Sequence, residues 1–154
     1  MRLPSRLLAP ILMGAMFLPS AGLSAQDFVS SSSSNMGFAA AHNSYRASSG
    51  LGPVVPDAEL TAAAQAHAQD MASHGYFSHK GRDGARADAR ALRAGCNWGN
   101  VGENLGWGQT SESEVLQGWV NSPSHRGVLQ GARYTRYGMA QVGTYWVLML
   151  ADQC

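Results

Sequence analysis

Two histidines and a glutamate, each in a separate short motif, are the residues of this chain best suited to chemistry. His79 ends the segment Gly-Tyr-Phe-Ser-His, Glu103 stands within Gly-Glu-Asn, and His125 ends the segment Trp-Val-Asn-Ser-Pro-Ser-His. Imidazole nitrogens and carboxylate oxygens bind divalent metal ions, and the same groups transfer protons near neutral pH. The three residues therefore form a candidate site if the fold brings their segments together.

Each of these residues also has a structural interpretation. Glu103 is suited to pairing with an arginine, His125 to bonding a carbonyl at a helix start, and His79 to lying in solvent on a loop. The chain contains five histidines, so two histidines and a glutamate in separate motifs also occur by chance. Its sequence contains no Gly-x-Ser-x-Gly elbow, His-Glu-x-x-His helix, P-loop or dinucleotide-binding glycine pattern. The catalytic residues, if there are any, are unknown from the sequence.

The start of the 154-residue chain has the pattern of a secretory signal peptide. Arg2 and Arg6 accompany an apolar run over residues 7–18, and Leu23-Ser-Ala25 offers the small residues Ser24 and Ala25 at the cleavage point. The run is shorter than the roughly 20 apolar residues that cross a bilayer. We therefore predict a signal peptide over residues 1–25 and a secreted protein, extracellular or periplasmic, that is not an integral membrane protein once processed.

Charge and cysteine content narrow the class of protein further. The formal net charge is +1 and the basic residues are scattered, so there is no electrostatic case for nucleic-acid binding. We interpret the basic residues as solvated faces and local ion pairs. Cys96 and Cys154 are the two cysteines, and in an exported chain they predict one disulfide. Closing the loop between these cysteines would stabilise the fold by about 4 kcal/mol in the chain-entropy model.

The mature chain begins with a serine-rich stretch. Residues 26–35 are predicted to be a flexible leader, because a serine run offers no apolar side chains to a core. Residues 36–154 are predicted to form the domain. Its first helix is predicted over residues 36–49, since this stretch lacks proline and precedes Gly50, a plausible left-handed helix stop.

The clearest predicted helix follows Asp57 and ends before Gly75. Small and apolar side chains recur at helical spacing on one face, which must be buried. The residues of this face are Leu60, Ala63, Ala64, His67, Ala68 and Met71. We interpret His67 as a buried core residue rather than a ligand. Residues 83–94 predict a weaker helix that Gly95 ends.

Two more helices are predicted around the third motif. Ser111-Glu-Ser-Glu114 is a capping box that opens a helix with an apolar stripe. Pro123, with Ser122 as its N-cap, predicts a further short helix, and His125 lies in this turn.

Three segments predict strands. Residues 101–107 form a short apolar segment bounded by glycines. Residues 134–142 and 145–151 flank Gly143-Thr144, the arrangement of a type II′ hairpin. The last strand is apolar on both faces, so it belongs in the centre of a sheet that helices cover on both sides. The sequence therefore predicts an α+β protein built as a three-layer α-β-α sandwich.

Five motifs in order closely resemble those of the CAP superfamily, which includes cysteine-rich secretory proteins, antigen 5 and plant pathogenesis-related class 1 proteins. They are His42-Asn-Ser-Tyr-Arg46, Ala63-Ala-Gln-Ala-His67-Ala, Gly75-Tyr-Phe-Ser-His79, Gly102-Glu-Asn-Leu and Trp119-Val-Asn-Ser-Pro-Ser-His125-Arg. The resemblance is to the bacterial extracellular branch and covers residues 36–154. It implies the α-β-α sandwich of a CAP (SCP) domain and a cleft lined by two histidines and two acidic residues.

The resemblance assigns residues to that cleft. His79, Glu103 and His125 match three of its four positions, and Ser122 stands where the family has its second acidic residue. A divalent metal such as zinc is a candidate cofactor, with His79, His125 and Glu103 as ligands. A hydroxyl binds such an ion less well than a carboxylate does, so Ser122 weakens the expectation that this chain shares the family's metal binding.

The family's functions are diverse, and three interpretations follow from the resemblance. Its members are linked to sterol and other lipid binding, to metal-dependent binding, to protein partners and to proteolysis. We favour a secreted, non-catalytic binding module that takes a lipid-like or sterol-like ligand, or an extracellular protein, in its His/Glu-lined cleft. The alternatives are a metal-dependent hydrolase that uses His79, His125 and Glu103, and a structural envelope or surface protein.

Overall fold

The computed structural model describes residues 25–97 and 99–154. The predicted signal peptide lies outside these residues, apart from Ala25. Within the described residues, no helix combines the length and apolar character needed to cross a bilayer.

Helices and strands are interspersed along the described chain. In order they are α1 (Ala25–Ser48), β1 (Val55–Pro56), α2 (Ala58–His74), α3 (Ala87–Arg93), β2 (Val101–Trp107), α4 (Glu112–Asn121), α5 (Pro123–Leu129), β3 (Arg136–Val142) and β4 (Tyr145–Ala151). The strands form one sheet in the order β1-β3-β4-β2. The β1–β3 pair is parallel, and β4 is antiparallel to both of its neighbours. The apolar last strand is therefore internal, as predicted.

Alternation along β4 builds a separate core on each face of the sheet. Val147, Met149 and Ala151 pack against α2 and α3. Trp146, Leu148 and Leu150 pack on the other side against α1, α4 and α5. Successive side chains of a strand point to opposite faces, so a fully apolar strand supplies both cores. This confirms the three-layer α-β-α sandwich.

The second helix has the bounds that its end signals predict. The Asp57 side chain accepts a hydrogen bond from the backbone N–H of Leu60 at 3.0 Å, and Gly75 ends the helix with a left-handed φ of 64°. The helix lies so close to β3 that a Cβ on Gly138 would overlap the backbone of Leu60 and Thr61. Glycine at this position lets α2 approach the sheet.

Two predicted helix starts differ from the structure. Helix α1 begins at Ala25, so residues 26–35 are helical and not a flexible leader. Serine costs a helix only a few tenths of a kcal/mol relative to alanine, and no proline interrupts the stretch. Helix α3 begins at Ala87 rather than near residue 83, because the Asp83 carboxylate accepts a hydrogen bond from the Ala85 N–H in a preceding turn.

The predicted disulfide and the predicted hairpin are both present in the last part of the chain. Cys96 and Cys154 form the disulfide, which ties the end of the chain to the segment that leads into β2. The β3–β4 hairpin turns at Gly143, whose φ is 58°. A positive φ at the first central residue is what a type II′ turn requires.

Candidate functional site

The candidate site lies at the outer edge of β2, where the two helical layers meet. β2 is an edge strand of the sheet. Its consecutive residues Glu103 and Asn104 point to opposite faces. Glu103 contacts His79, which precedes α3. Asn104 contacts the backbone of His125, which lies in α5. The strand thus positions one histidine from each layer.

Glu103 is the centre of a buried ionic network. Its Oε1 accepts a hydrogen bond from His79 Nδ1 at 2.7 Å, and its Oε2 accepts one from an Nη of Arg90 at 2.6 Å. Arg90 also donates to the carbonyls of Ala85 at 2.8 Å and His79 at 3.2 Å. Both the ring and the backbone of His79 are therefore held by this network.

The bond to Glu103 determines which nitrogen His79 presents. A carboxylate accepts but does not donate, so the proton of the neutral ring lies on Nδ1. The other nitrogen, Nε2, then carries the lone pair, and the side chain is 51% exposed. A histidine oriented in this way by a carboxylate is arranged to accept a proton or bind a metal ion through Nε2.

His67 holds the backbone of the segment that leads into His79. It is buried in α2, as predicted, and its Nε2 donates to the Ser78 carbonyl at 2.9 Å. Burial is the main cause that lowers the pKa of His67, with a smaller contribution from the Arg90 charge. The residue interpreted as structural thus helps to hold the backbone directly before His79.

His125 is held through its backbone, and its ring makes no hydrogen bond within the described residues. The Asn104 side-chain amide donates to the His125 carbonyl at 2.9 Å. Burial lowers the pKa of the His125 ring, and the nearby His79 lowers it further. Both effects favour the neutral form of the ring. Ser122 is the N-cap residue of α5, and its hydroxyl contacts that of Ser124 at 3.4 Å.

The four predicted cleft residues line two neighbouring concavities rather than one. His79 and Glu103 line a polar hollow of about 500 Å³, together with charged side chains such as Arg86 and Asp88. Ser122 and His125 line a second one of about 320 Å³. We call this second concavity the aromatic cleft. Its lining residues are Phe77, Leu105, Gly106, Trp107, Gln109, Val115, Gly118, Trp119, Ser122 and His125.

The wall of the aromatic cleft depends on a close contact between β2 and α4. A Cβ on Gly106 would lie 2.6 Å from Cγ2 of Val115 and 3.0 Å from Oε1 of Gln109. Glycine therefore allows the helix to approach the strand. Trp119 of α4 donates its Nε1–H to the Leu105 carbonyl at 2.8 Å, which satisfies a polar group of this edge strand.

Exposed aromatic rings border the cleft. Phe77 is 47% exposed and Trp107 is 60% exposed. The Phe77 and Trp107 ring centroids are 6.3 Å apart with planes 33° from parallel, and the Trp107 and Tyr145 centroids are 6.0 Å apart at 26°. We call these three rings the aromatic ledge. Exposed apolar surface of this kind marks sites of interaction.

The fit of a metal ion to these residues is partial. Both carboxylate oxygens of Glu103 are hydrogen-bonded, which suits it to orient His79 rather than to act as a ligand. In the described part of the chain, the donor atoms of His79, Glu103 and His125 do not all lie within 4.8 Å of one another. His79 Nε2 and the His125 ring are the donors that remain. The three-ligand set stays a prediction.

Sequence reasoning missed two buried arginines. The interpretation of the basic residues as solvated faces and local ion pairs is wrong for Arg46, which is 0% exposed and forms no ion pair within the described residues. Arg90 does form an ion pair, with Glu103, but it is only 8% exposed and not on a solvated face. Arg46 belongs to one of the five motifs, and this was a signal for its importance. No pattern in the sequence distinguishes Arg90 from its neighbours Arg86 and Arg93.

Comparison with known proteins gives relatives in Bacillus subtilis (strain 168). The “Uncharacterized protein YkwD” is 31% identical over 106 residues, which are 68% of this chain and 41% of that protein. The “Uncharacterized membrane protein YlbC” is 27% identical over 104 residues, 68% of this chain and 30% of that protein. The chain thus spans less than half the length of these relatives.

Solved structures share the fold. An extracellular protein containing a SCP domain from Bacillus anthracis superimposes with a TM-score of 0.72 at 23% identity, over 86% of this chain and 45% of that one. An outer surface protein from Borrelia burgdorferi gives 0.70 at 19% identity, over 78% and 92%. A cysteine-rich secretory protein from Staphylococcus aureus gives 0.66 at 19% identity, over 77% and 38%.

The family assignment rests on the sequence match as well as on the fold. The family model described as “Cysteine-rich secretory protein family”, CAP, matches residues 39–147, which include all of the residues of the candidate site. The chain belongs to the CAP family.

Proposed function

We propose that this protein is an extracellular, non-catalytic binding module that holds its ligand in the aromatic cleft. The observation that carries the proposal is the exposure of Phe77 and Trp107 at the border of this cleft. Burying an apolar side chain contributes about 25 cal/mol per Å². A large, exposed aromatic surface beside a concavity therefore favours binding of a ligand with an apolar face.

The hydrogen bonds around the two histidines favour binding over acyl transfer. A nucleophilic serine or cysteine needs a base within hydrogen-bond reach. Within the described residues, neither His79 nor His125 receives a hydrogen bond from a serine hydroxyl, and both cysteines are in the disulfide. A lipid-like ligand or a protein partner, as expected from the sequence, would also carry the apolar surface that this binding mode needs.

The extracellular location is part of the proposal. The amino-terminal pattern typical of a signal peptide supports it. The disulfide between Cys96 and Cys154 supports it as well, because such bonds persist in oxidising compartments. Two of the structurally similar proteins are described as extracellular or as an outer surface protein.

The test is amide chemical-shift mapping by NMR on the disulfide-bonded protein with three probes. These are monomeric lysophosphatidylcholine, a neutral trisaccharide and a short apolar peptide. We expect at least one probe to give saturable shifts at Gly106, Trp107 and Gly118. Trp107→Ala should abolish them, whereas Leu92→Ala removes an exposed apolar residue outside the cleft and should not. Absence of saturable cleft shifts with all three probes would refute the proposal.

Metal binding at His79 and His125 is the second candidate, and the hydrogen bond from His79 Nδ1 to Glu103 favours it. A bound divalent ion would act as a Lewis acid and would acidify water, as the hydrolase alternative requires. Calorimetry with zinc should give one-to-one binding that His79→Ala/His125→Ala loses and that His74→Ala, a change outside the site, retains. Glu103→Gln should weaken binding about 10- to 100-fold through loss of orientation. Equal zinc binding by the double variant would exclude these ligands.

A further inference from the structure

The aromatic cleft has no charged wall, although a polar, charged hollow lies beside it. Its ten lining residues include no aspartate, glutamate, lysine or arginine. The one titratable group among them is His125. Ser122 stands at the position where the resemblance leads one to expect a carboxylate. A charged ligand would lose its hydration here without gaining a counter-charge.

We propose that the ligand of the aromatic cleft is a neutral glycan, with one pyranose ring lying on the aromatic ledge. This inference rests on the proposed function, because it names the ligand class of the same site. A pyranose presents C–H groups on its faces and hydroxyl groups around its rim. The C–H groups are weakly positive and match the negative face of an aromatic ring. The ledge offers such rings in Phe77, Trp107 and Tyr145, with successive centroids 6.3 and 6.0 Å apart.

Uncommitted polar groups stand where the rim of such a sugar would lie. Gln109 lines the cleft, and its buried Oε1 has no hydrogen-bond partner within the described structure. A buried acceptor without a partner is unfavourable, and rotation of the amide would let a ligand hydroxyl satisfy it. Within the described residues, the Ser122 hydroxyl makes only a 3.4 Å contact with Ser124, and the ring nitrogens of His125 are available to a ligand hydroxyl.

The shape of the cleft favours a sugar over a lipid. Trp107 is 60% exposed, so a lipid resting on this ring would leave much of its own apolar surface in water. A sugar ring has one apolar face to bury and a polar rim that tolerates solvent. The volume of about 320 Å³ lies at the low end for ligand pockets and suits one or two sugar units better than a long acyl chain.

The test is NMR titration of the disulfide-bonded protein with three neutral trisaccharides: chitotriose, cellotriose and maltotriose. We expect saturable shifts at Gly106, Trp107 and Gly118 with at least one of them. Trp107→Ala should weaken that binding at least 10-fold, and Gln109→Leu about 5-fold. Leu92→Ala should leave it unchanged. Gln109→Leu also removes the buried orphan acceptor, so it should not lower the melting temperature, which separates loss of binding from loss of folding.

The outcomes separate this inference from the proposed function. If no trisaccharide gives saturable cleft shifts while lysophosphatidylcholine or the apolar peptide does, the glycan inference is wrong and the binding module stands. If none of these probes binds the cleft, both are wrong. A trisaccharide that binds equally well to wild type and Trp107→Ala would also overturn the inference, because the ledge would not be its site.

Discussion

Each helical layer of this sandwich buries one arginine, and the two are satisfied in different ways. Arg90, in the α2–α3 layer, pairs with the carboxylate of Glu103. Arg46, in the layer of α1, α4 and α5, is fully buried and forms no ion pair within the described residues. Its guanidinium donates instead to the carbonyls of Gly52, Leu129, Gly131 and Tyr134.

The difference separates a residue of the site from a residue of the scaffold. Glu103 balances the charge of Arg90 and also orients His79, so this network connects stability to the candidate chemistry. Arg46 joins the loop after α1 to the end of α5 and the loop that follows it, and none of its hydrogen bonds within the described residues reaches the aromatic cleft. Its planar fork of donors suits it to bind several carbonyls at once. The predictions below test this division.

Arg46→Ala should have the largest effect on stability. Four hydrogen bonds from a charged donor are lost, one of them buried and three partly buried. We expect a loss of about 5 kcal/mol or complete unfolding, since bonds to charged groups contribute roughly 1.5–3 kcal/mol each and are not additive. Urea denaturation measures the loss.

Arg46→Lys is the matched variant for this prediction. It keeps the positive charge but replaces the fork with a single ammonium group. We expect it to recover less than half of the lost free energy of unfolding. Full recovery would show that charge, and not the carbonyl-binding geometry, explains the burial of Arg46.

Glu103→Ala should rank second and should affect both stability and the site. It leaves the buried charge of Arg90 unpaired, which typically costs 3–5 kcal/mol, so we expect a loss of about 4 kcal/mol. It also removes the acceptor of the His79 Nδ1–H. Arg93→Ala is the control, because the Asp83–Arg93 pair is solvent-exposed and contributes little. Denaturation and NMR of the His79 ring would measure the two effects, and an unchanged His79 environment would contradict the orienting role.

Much of the fold was predictable because strong local signals agree with the tertiary structure. Asp57 and Gly75 delimit α2, and the apolar run of β4 requires cover on both faces. The start of α1 was not predictable from composition, since a serine run is compatible with both helix and coil. The start of α3 depended on a side-chain hydrogen bond of Asp83 that hydrophobic periodicity does not report.

The members of the site were predictable, but their roles were not. His79, Glu103 and His125 stand in motifs, whereas the orienting role of Glu103 depends on Arg90, which reaches it only through tertiary packing. The aromatic ledge was missed for a similar reason. Trp107 ends an apolar strand, where an aromatic residue normally belongs to a core, and only the edge position of β2 leaves it exposed.

Acidification should destabilise the fold through its buried histidines. Burial is the main cause that lowers the pKa of His42 from 6.5 to about 4, and the Arg46 charge adds to it. Below pH 6.5 the unfolded chain therefore binds more protons than the folded protein, and stability falls with falling pH. This contribution is fully present above pH 6.5 and is lost as the pH falls to about 4. We expect a loss of about 3 kcal/mol, because each pH unit between the two pKa values contributes about 1.4 kcal/mol.

His42→Phe tests the source of this pH dependence. His42 Nε2 donates to the Leu129 carbonyl at 3.3 Å, but Arg46 donates to the same oxygen at 2.8 Å. The carbonyl thus keeps a partner in the variant. We expect a flatter dependence of the free energy of unfolding between pH 6.5 and 4. An unchanged slope would assign the effect to other groups, such as His67, whose pKa burial also lowers.

The smallest expected effect is that of Asn104→Leu, and it separates the two histidines. The change keeps the number and branching of the side-chain heavy atoms but leaves the His125 carbonyl without the amide donor, at a cost of about 1–2 kcal/mol. Glu103, on the opposite face of β2, still orients His79. In an NMR titration of the imidazole rings, the His125 resonances should therefore move and broaden while those of His79 keep their wild-type pH dependence. If both rings changed together, the two layers would act as one coupled site, and the independent positioning of each histidine by its own β2 residue would be wrong.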